Sequence, residues 1–333
     1  MTRPKVVLTD TTFPDYEIES SLIAASGLDL DVSYLQTRDP DELVRQTADA
    51  DAVVLAWAPF TRDVIAQLNR CRVIVRYGIG VDMIDLDAAT ERGIVVCNTA
   101  RYCIDEVSTH AITFLLMLNR QIQHDIDHVR TAGWGVGTDR PAPRRLKGQT
   151  LGLVGLGNIG RAVAAKARGV GLDAVAYDPY LTASGAASDI RVVDLDTLLA
   201  MADFISIHCP LNKSTRHLIS KQQLARMKPT AFLINTARGA IVDQQALESA
   251  LANGSIAGAA LDVFEEEPLP NTSLLRRLSN VILTPHSASW STESALECRQ
   301  TAIEHALTAL RGEIPGDIVN RDVLTRGLRS WST

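Results

Sequence analysis

The chain has 333 residues, 46% of them hydrophobic, and a formal net charge of −6 at pH 7. This length suits two domains, and the acidic balance argues against a nucleic-acid-binding surface. No apolar run approaches the roughly 18 residues of a membrane span, and the N-terminus has no secretory hydrophobic region. The 5 cysteines lack metal-ligand spacing. We therefore expect a cytoplasmic two-domain protein with free buried thiols, no bound metal and no membrane contact.

The first 99 residues alternate short β-rich runs with helical stretches. The predicted strands are Val6–Thr9, Leu30–Tyr34, Ala52–Ala56, Val73–Arg76 and Val95–Cys97. The predicted helices lie between them, at about 15–26, 40–48, 60–70 and 84–92. This alternation is typical of a small flavodoxin-like α/β unit.

A long apolar helix and a loop rich in glycine and proline come next. The helix is predicted over Ile104–Gln121, and its apolar face recurs at helical spacing: Ile104, Val107, Ala111, Phe114, Leu115 and Leu118. Such a face usually belongs to the core of a domain or to a subunit interface. The loop is predicted over Trp134–Arg145.

The most informative motif is the glycine-rich turn at residues 155–160. It follows a short buried strand, Thr150–Val154, and precedes an alanine-rich helical run at about 161–168. In a dinucleotide-binding fold Gly155 permits the tight turn, Gly157 lets the backbone approach a pyrophosphate, and Gly160 lets the helix lie close to the strand. The helix N-terminus then offers N–H groups to the phosphates. The motif predicts a bound dinucleotide, with an ordinary glycine-rich turn as the alternative.

An acidic residue lies where the adenosine ribose is expected. Asp178 ends the predicted strand Asp173–Tyr177 and comes 23 residues after Gly155, close to the roughly 20 that separate the first glycine from the ribose-binding acid. Pro179 and Tyr180 follow, so no cation adjoins Asp178 to accommodate a 2′-phosphate. This favours NAD over NADP.

The second half of the chain continues the alternation of strands and helices. The predicted strands are Phe204–Cys209, Ala231–Asn235, Gly258–Asp262 and Val281–Thr284. The predicted helices lie at about 194–201, 220–226, 243–253 and 291–311. We expect a parallel sheet with helices on both faces, in which ligands bind outside the carboxyl ends of the strands.

Three consecutive strand ends present an arginine, an acidic cluster and a histidine. Arg238 follows one strand, the acidic run 265–267 follows the next, and His286 follows the last. Taken singly, these residues fit a surface ion pair, a solvated loop and a turn cap. Together, beside a dinucleotide, they compose a hydride-transfer site. Arginine holds a carboxylate through a bidentate fork, histidine moves a proton near neutral pH, and a glutamate behind the histidine favours the imidazolium.

These motifs resemble the NAD-dependent D-isomer-specific 2-hydroxyacid dehydrogenases. The resemblance runs from about Ala52 to Asn320 and is most specific at Asn235–Asp243, Gly258–Pro268 and Thr284–His286. It implies a Rossmann-type NAD-binding domain inserted in a flavodoxin-like substrate domain, with the active site in the cleft between them. We expect the substrate domain at 1–99 and 290–333 and the NAD-binding domain at 100–289.

The resemblance also implies a reaction and its catalytic residues. The reaction is reversible hydride transfer between NAD and C2 of a D-2-hydroxy acid. Arg238 would hold the carboxylate and carbonyl oxygen of the keto acid, and His286, supported by Glu267, would transfer the proton. Glu267 is chosen because it directly precedes Pro268, and its two acidic neighbours are assigned to a solvated loop. The sequence does not indicate which 2-hydroxy acid is the substrate.

The remaining site residues carry over from the same resemblance. The implied cofactor contacts are Gly155, Gly157, Asn158, Ile159, Gly160, Arg161, Asp178, His208, Cys209, Pro210, Thr236 and Asp262. Among them, Cys209 is expected to be an inert packing thiol, and Asp262 is expected to accept a hydrogen bond from the nicotinamide carboxamide. The implied substrate-binding residues, where backbone N–H groups meet the acid, are Arg76, Tyr77, Gly78, Ile79 and Gly80.

Three segments, Arg76–Gly78, Tyr177–Leu181 and Gly312–Pro315, make the chain most similar, within the family, to the C-terminal-binding-protein branch, which includes transcriptional corepressors. That branch has a tryptophan three residues after the catalytic histidine, whereas this chain has Ser289 there and Trp290 one residue later. The similarity to the corepressors makes an NAD(H)-sensing interaction protein on the same scaffold the alternative function. The helix 104–121 and the loop 134–145 match the family's dimerising segment, so a homodimer is expected.

Overall fold

The computed structural model describes residues 3–131, 133–135, 142–181 and 190–329. The chain divides into two units, one formed by Met1–Tyr102 with Ser291–Thr333 and the other by Cys103–Trp290. Part of the predicted loop Trp134–Arg145, at 136–141, lies outside the described residues.

Strands and helices alternate along most of the chain. The strands are β1 Lys5–Leu8, β2 Asp31–Tyr34, β3 Ala52–Leu55, β4 Val73–Arg76, β5 Val95–Cys97, β6 Thr150–Val154, β7 Asp173–Tyr177, β8 Arg191–Val192, β9 Phe204–Ile207, β10 Phe232–Asn235, β11 Gly258–Leu261 and β12 Val281–Leu283. The helices are α1 Glu17–Ala25, α2 Pro40–Thr47, α3 Arg62–Ala66, α4 Leu86–Glu91, α5 Ile104–Arg120, α6 Ile122–Thr131, α7 Asn158–Gly169, α8 Leu195–Met201, α9 Lys221–Leu224, α10 Gln244–Ala252, α11 Thr292–Leu310 and α12 Val323–Arg326.

The first unit is built on a parallel sheet in the order β2-β1-β3-β4-β5, which is the flavodoxin order. Apolar residues of α1 and α11 cover one face of this sheet, and apolar residues of α2, α3 and α4 cover the other. Every residue of β3, β4 and β5 is buried, because a parallel sheet covered on both faces needs continuous apolar strands. The predicted flavodoxin-like fold is confirmed.

The second unit is built on a seven-stranded sheet in the order β12-β11-β10-β9-β6-β7-β8, with all pairs parallel. Numbered from β6, the first six strands have the order 3-2-1-4-5-6 of the Rossmann fold. Helix α5 packs against α7 and contributes Phe114 and Leu115 to the core of this unit. The predicted Rossmann fold is confirmed.

The register of the last three strands brings their ends level. Asn235 of β10 pairs with Leu261 of β11, which in turn pairs with Leu283 of β12. The chain segments that leave these strands therefore begin side by side at one edge of the sheet, where ligands of such sheets bind.

The structure also contains elements that the sequence pattern did not predict. Helix α6 has no buried residue and is largely polar, and its three large apolar side chains give a weaker helical pattern than the longer apolar face of α5. It follows α5 directly because Gln121 adopts a left-handed conformation, with φ 54°, and ends α5. Strand β8 has 2 residues and α12 has 4, which is too short for a periodic pattern.

Two predicted helices have different bounds in the structure. Helix α7 begins at Asn158, about three residues before the predicted start, because the last three residues of the motif, 158–160, already form its first turn. Helix α3 covers only Arg62–Ala66 of the predicted 60–70. The other predicted elements agree to within a few residues at each end.

Among the described residues, no helix is both long and apolar enough to cross a membrane. In the same part of the chain, no group of three or more His, Cys, Asp or Glu side chains is placed to hold a metal ion.

Candidate active site

The glycine-rich turn joins β6 to α7 with close backbone packing. Gly155 has φ +97°, and a Cβ there would lie 2.7 Å from the Cys209 backbone nitrogen. A Cβ at Gly160 would lie 2.4 Å from the Gly155 carbonyl oxygen. At Gly157, by contrast, a Cβ would meet no heavy atom within 4 Å. Side chains are therefore excluded by packing at the first and third glycines, while the second borders open space.

Asp178 follows β7 and holds this turn. Its carboxylate accepts hydrogen bonds from the backbone N–H groups of Leu156 (3.0 Å) and Tyr180 (3.0 Å). The bond to Leu156 ties the acid to the middle of the glycine motif. Asn158, Ile159 and the following residues form the first turn of α7, where backbone N–H groups have no partner within the helix.

His208 and Cys209 follow β9, against the backbone of Gly155. The Nε2 atom of His208 lies 2.8 Å from the hydroxyl of Ser206, and burial lowers the pKa of His208 to about 4. Burial raises the pKa of the Cys209 thiol to about 11. At neutral pH both side chains are therefore uncharged, and a protonated Cys209 agrees with a packing role.

Arg238 leaves the end of β10 in a turn held by Asn235. The Asn235 side chain donates to the Arg238 carbonyl (2.9 Å) and accepts from the Ala237 N–H (3.0 Å). Next to Arg238, a Cβ at Gly239 would lie 1.9 Å from the carbonyl carbon of Phe264. The Arg238 turn therefore packs directly on the segment that follows β11. In the same turn the Thr236 hydroxyl is buried and has no hydrogen-bond partner among the described residues.

His286 and Glu267 form a hydrogen-bonded pair. The Nδ1 atom of His286 lies 2.6 Å from Oε2 of Glu267, and the Phe264 N–H donates to the other carboxylate oxygen (3.0 Å). Burial by itself raises the pKa of Glu267, but the hydrogen bond and charge of His286, the Phe264 N–H and the positive charge of Arg238 outweigh it and lower that pKa. Glu267 is therefore a carboxylate at neutral pH, and it holds the Nδ1 side of the His286 imidazole.

The backbone of His286 is held in an uncommon conformation. His286 has φ 54°, which costs a residue with a Cβ about 1–2 kcal/mol. Its N–H donates to the Asp262 carbonyl (2.8 Å). The buried Asp262 carboxylate accepts from the N–H groups of Ser287 (2.9 Å) and Ala288 (2.8 Å) and from the Thr284 hydroxyl (2.5 Å). Asp262 thus binds the segment on both sides of His286.

A second histidine–glutamate pair involves the same acidic run, 265–267, and was not predicted. The Nε2 atom of His217 lies 2.6 Å from Oε1 of Glu265, and the Gln244 N–H also donates to that oxygen. The expected place of Glu265 is a solvated loop. It is exposed, but its carboxylate is engaged by His217, so it is not available to His286. No motif in the sequence pointed to His217.

In the first unit, the end of β4 carries the predicted substrate loop. The Arg76 guanidinium lies 4.9 Å over the Trp57 ring and donates to the Ala56 carbonyl. A Cβ at Gly78, which has φ +127°, would lie 1.5 Å from Nη1 of Arg76. Only glycine therefore leaves room for this guanidinium beside the loop.

The backbone N–H groups of this loop differ in their use. The Gly78 N–H donates to the Thr99 hydroxyl (2.8 Å), so it is already satisfied, contrary to the expectation that it meets the acid. The N–H groups of Ile79 and Gly80 donate to no acceptor within the part of the chain that the structure describes. Tyr77 points into the core, where its hydroxyl donates to the buried Glu19 (3.1 Å) and burial raises its pKa. Tyr77 therefore anchors the loop.

Comparison with known proteins identifies the family. Residues 112–288 match the model of the D-isomer specific 2-hydroxyacid dehydrogenase NAD-binding domain. A glyoxylate reductase of Thermofilum pendens is 37% identical, over 97% of this chain and 96% of its own length. The chain belongs to this family. It is an NAD-dependent D-2-hydroxyacid dehydrogenase, an oxidoreductase that acts on a 2-hydroxy or 2-keto acid.

Solved structures of this dehydrogenase family have the same fold. The glyoxylate reductase of Paecilomyes thermophila has a TM-score of 0.87 and 28% identity, over 97% of this chain and all of its own. A D-lactate dehydrogenase of Aquifex aeolicus, in complex with NAD and lactic acid, has a TM-score of 0.83 and 28% identity over 95% of this chain and 99% of its own. The alternative of an NAD(H)-sensing interaction protein gains no support from these relatives, and the C-terminal-binding-protein branch stays a prediction.

The residues of this dehydrogenase fit the NAD cofactor. The open space beside Gly157 leaves the backbone accessible to a pyrophosphate, and the first turn of α7 supplies N–H groups for it. The buried Thr236 hydroxyl, which has no partner among the described residues, could form a hydrogen bond to the cofactor. When bound, NAD supplies the hydride acceptor or donor for C2 of the acid.

Proposed function

We propose that Arg238, Glu267 and His286 are the catalytic residues of this dehydrogenase. The observation that carries the proposal is the 2.6 Å pair of His286 and Glu267 on segments that leave adjacent parallel strands, with the charge of Arg238 acting on the same carboxylate. In the direction of reduction, imidazolium Nε2 donates its proton to the oxygen on C2. In the direction of oxidation, neutral Nε2 accepts the proton from the hydroxyl.

The loop after β4 is the substrate-binding loop in this proposal. The carboxylate of the acid would be bound by the N–H groups of Ile79 and Gly80 and by the guanidinium of Arg76. This is supported by the two amides, which have no acceptor among the described residues. Gly78 shapes the loop, and Tyr77 anchors it through Glu19. Arg238 provides the bidentate fork for the same substrate.

Turnover of NADH with a panel of 2-keto acids tests the proposed function. Glyoxylate comes first, because the glyoxylate reductase of Thermofilum pendens aligns over nearly its whole length; pyruvate, hydroxypyruvate and phosphorylated acids follow. We expect oxidation of NADH at 340 nm with at least one of them. Binding of NADH without turnover of any acid would favour an interaction protein over an enzyme.

We infer that Asp178 binds the adenosine ribose and sets the preference for NADH. Asp178→Asn keeps an oxygen for the Leu156 N–H but removes the negative charge that repels a 2′-phosphate. We expect Asp178→Asn to weaken NADH binding and to tighten NADPH binding, so that the ratio of kcat/KM with NADH to kcat/KM with NADPH falls by about 10-fold or more. We expect Asp178→Ala to weaken NADH binding further. A wild type that prefers NADPH in steady-state kinetics would contradict this role.

The Glu267 carboxylate sets the pH dependence of the reaction in this proposal. Glu267→Gln keeps a hydrogen-bonding side chain but removes the anion that favours the imidazolium form. We expect the midpoint of the kcat/KM profile for keto-acid reduction to move to lower pH. The matched control is Glu265→Gln, which removes the partner of His217 instead. A profile that moves in Glu265→Gln and not in Glu267→Gln would reverse the assignment.

We propose a homodimer that buries the apolar side of α6. Ile122 (39% exposed), Ile126 (37%) and Val129 (53%) recur at helical spacing, and Trp134 is 96% exposed. Four large apolar side chains in so short a stretch are typical of an interface. We expect light scattering to give a dimer at micromolar concentration and Ile126→Asp to produce monomers. A monomeric wild type would contradict the proposal.

The proposed cellular location is the cytoplasm. All 5 cysteines are free, and 4 of them are buried, which agrees with a reducing compartment.

A further inference from the structure

The side chains that hold the His286 segment form a chain of hydrogen bonds that reaches α5. The Asp262 carboxylate can only accept, so the Thr284 hydroxyl donates its proton to Oδ1 of Asp262. With that proton used, Thr284 Oγ1 is an acceptor for its other neighbour, Nε2 of His110, at 3.2 Å. His110 therefore carries its proton on Nε2, and the order of donation is His110 to Thr284 to Asp262.

The environment of His110 keeps this direction fixed. The ring packs edge-on against Phe114, with centroids 4.4 Å apart. Burial lowers the pKa of His110, and the Asp262 carboxylate, 4.0 Å from Nε2, opposes that effect only in part. A neutral imidazole has a single N–H donor, and here it points at Thr284.

We propose that Thr284 and His110 are positioning residues for His286, acting through Asp262; this inference rests on the proposed catalytic role of His286. The Asp262 carboxylate binds the N–H groups of Ser287 and Ala288, and its carbonyl binds the N–H of His286. Three consecutive amides are thus fixed by one residue. Thr284 and His110 fix the orientation of its carboxylate.

The left-handed backbone of His286 makes this support necessary. A non-glycine residue with φ 54° relaxes toward the common regions when its surroundings allow it. Such a change rotates the Cα–Cβ bond and moves Nε2 away from the reacting oxygen. A misplacement of about 1 Å can cost roughly 100-fold in rate. The expected loss is therefore in kcat, because the proposed function assigns the substrate carboxylate to residues other than Thr284 and His110.

Thr284→Val tests the proposal, because valine has the shape of threonine without the hydroxyl. We expect kcat for keto-acid reduction to fall by about 10- to 100-fold, with KM and the NADH dissociation constant changed by less than about 3-fold. Thr284→Ser restores the hydroxyl and should recover most of kcat. His110→Leu should lower kcat by about 3- to 10-fold, with partial recovery in His110→Gln, whose amide can donate.

Two double variants show whether the effect passes through His286. If the residues act in series, Thr284→Val with His110→Leu loses no more than Thr284→Val alone. In a His286→Ala background, Thr284→Val should leave the residual rate unchanged. The midpoint of the pH profile should stay at its wild-type value in Thr284→Val, because the pair with Glu267 remains.

Three results would overturn the proposal. The first is a Thr284→Val enzyme with wild-type kcat. The second is a Thr284→Val enzyme whose NADH affinity falls as much as its kcat. The third is a further fall in the residual rate when Thr284→Val is added to His286→Ala. Thermal melting of each variant separates a loss of kcat from unfolding. If the wild type itself turns over no keto acid, the proposed function fails rather than this inference.

Discussion

Replacing His286 with alanine is expected to lower kcat by about 10²–10⁴-fold, the usual contribution of a general acid–base group. In the structure His286 is the residue whose Nδ1 is bound by a carboxylate at 2.6 Å and whose backbone is fixed by Asp262. The variant removes the group that donates the proton to the oxygen on C2. NADH binding should persist, because the glycine turn and Asp178 lie on other segments of the chain.

The chain offers a matched control in its second histidine–glutamate pair. His217 also has a left-handed backbone, with φ 51°, and lies 2.6 Å from a glutamate oxygen. His217→Ala should change kcat by less than about 5-fold. Single-turnover oxidation of NADH at saturating keto acid, with NADH titrated by fluorescence, measures both variants. Equal losses in the two would mean that His286 supports the fold and does not move the proton.

The strands of both sheets were predictable because the sequence marks each of them locally. Parallel strands covered on both faces are continuous apolar runs, and the runs at Val73–Arg76 and Thr150–Val154 match β4 and β6 residue for residue. The glycine motif could also be recognised from the sequence, because packing excludes a Cβ at Gly155 and Gly160 and so requires glycine at both positions. Helix α6 was not predicted, because its three large apolar residues stand in a largely polar segment and none of them is buried in a core.

The placement of the site residues was predictable only as far as strand ends allow. Level ends of β10, β11 and β12 follow from a parallel sheet, so Arg238, Glu267 and His286 could be grouped in advance. Their hydrogen bonds could not be predicted, because three acidic residues are consecutive in the sequence. Only the folded structure shows that Glu265 pairs with His217 and that Glu267 pairs with His286. Long-range partners of this kind have no signature in local sequence.

Asp262 shows the same limit. Its contact with the nicotinamide carboxamide stays a prediction, and no local pattern indicated that its carboxylate accepts from Thr284, Ser287 and Ala288. The left-handed conformation of His286 was also invisible, because left-handed backbone is normally signalled by glycine or asparagine. A histidine can adopt it here because Asp262 supplies the compensating hydrogen bonds.

Replacing Arg238 with glutamine is expected to lower kcat/KM by roughly 10²–10⁴-fold, or about 3–5 kcal/mol of transition-state stabilisation. Arg238 is half-buried beside the buried Thr236, and its charge acts on Glu267. A guanidinium there can bind the carboxylate and carbonyl oxygen of the keto acid through two parallel hydrogen bonds. Glutamine keeps some polarity but loses both the charge and the fork.

The lysine variant separates charge from geometry. Arg238→Lys restores a positive charge near Glu267 but not the planar fork, so it should recover only part of the lost kcat/KM. NADH affinity should change little in both variants. Arg226→Gln is the matched control, because it removes an arginine from an exposed ion pair with Asp196 in the same unit, a contact worth little.

A structural role for Arg238 predicts a different set of results. If the guanidinium chiefly held the segments after β10 and β11 together, Arg238→Gln would melt well below the wild type and Arg226→Gln would not. The folded fraction that remained would then turn over normally at saturating keto acid. Thermal melting, NADH titration and keto-acid kinetics on the same preparations distinguish the two roles. A variant that melts like the wild type, binds NADH normally and loses kcat/KM by two orders of magnitude or more places Arg238 on the substrate.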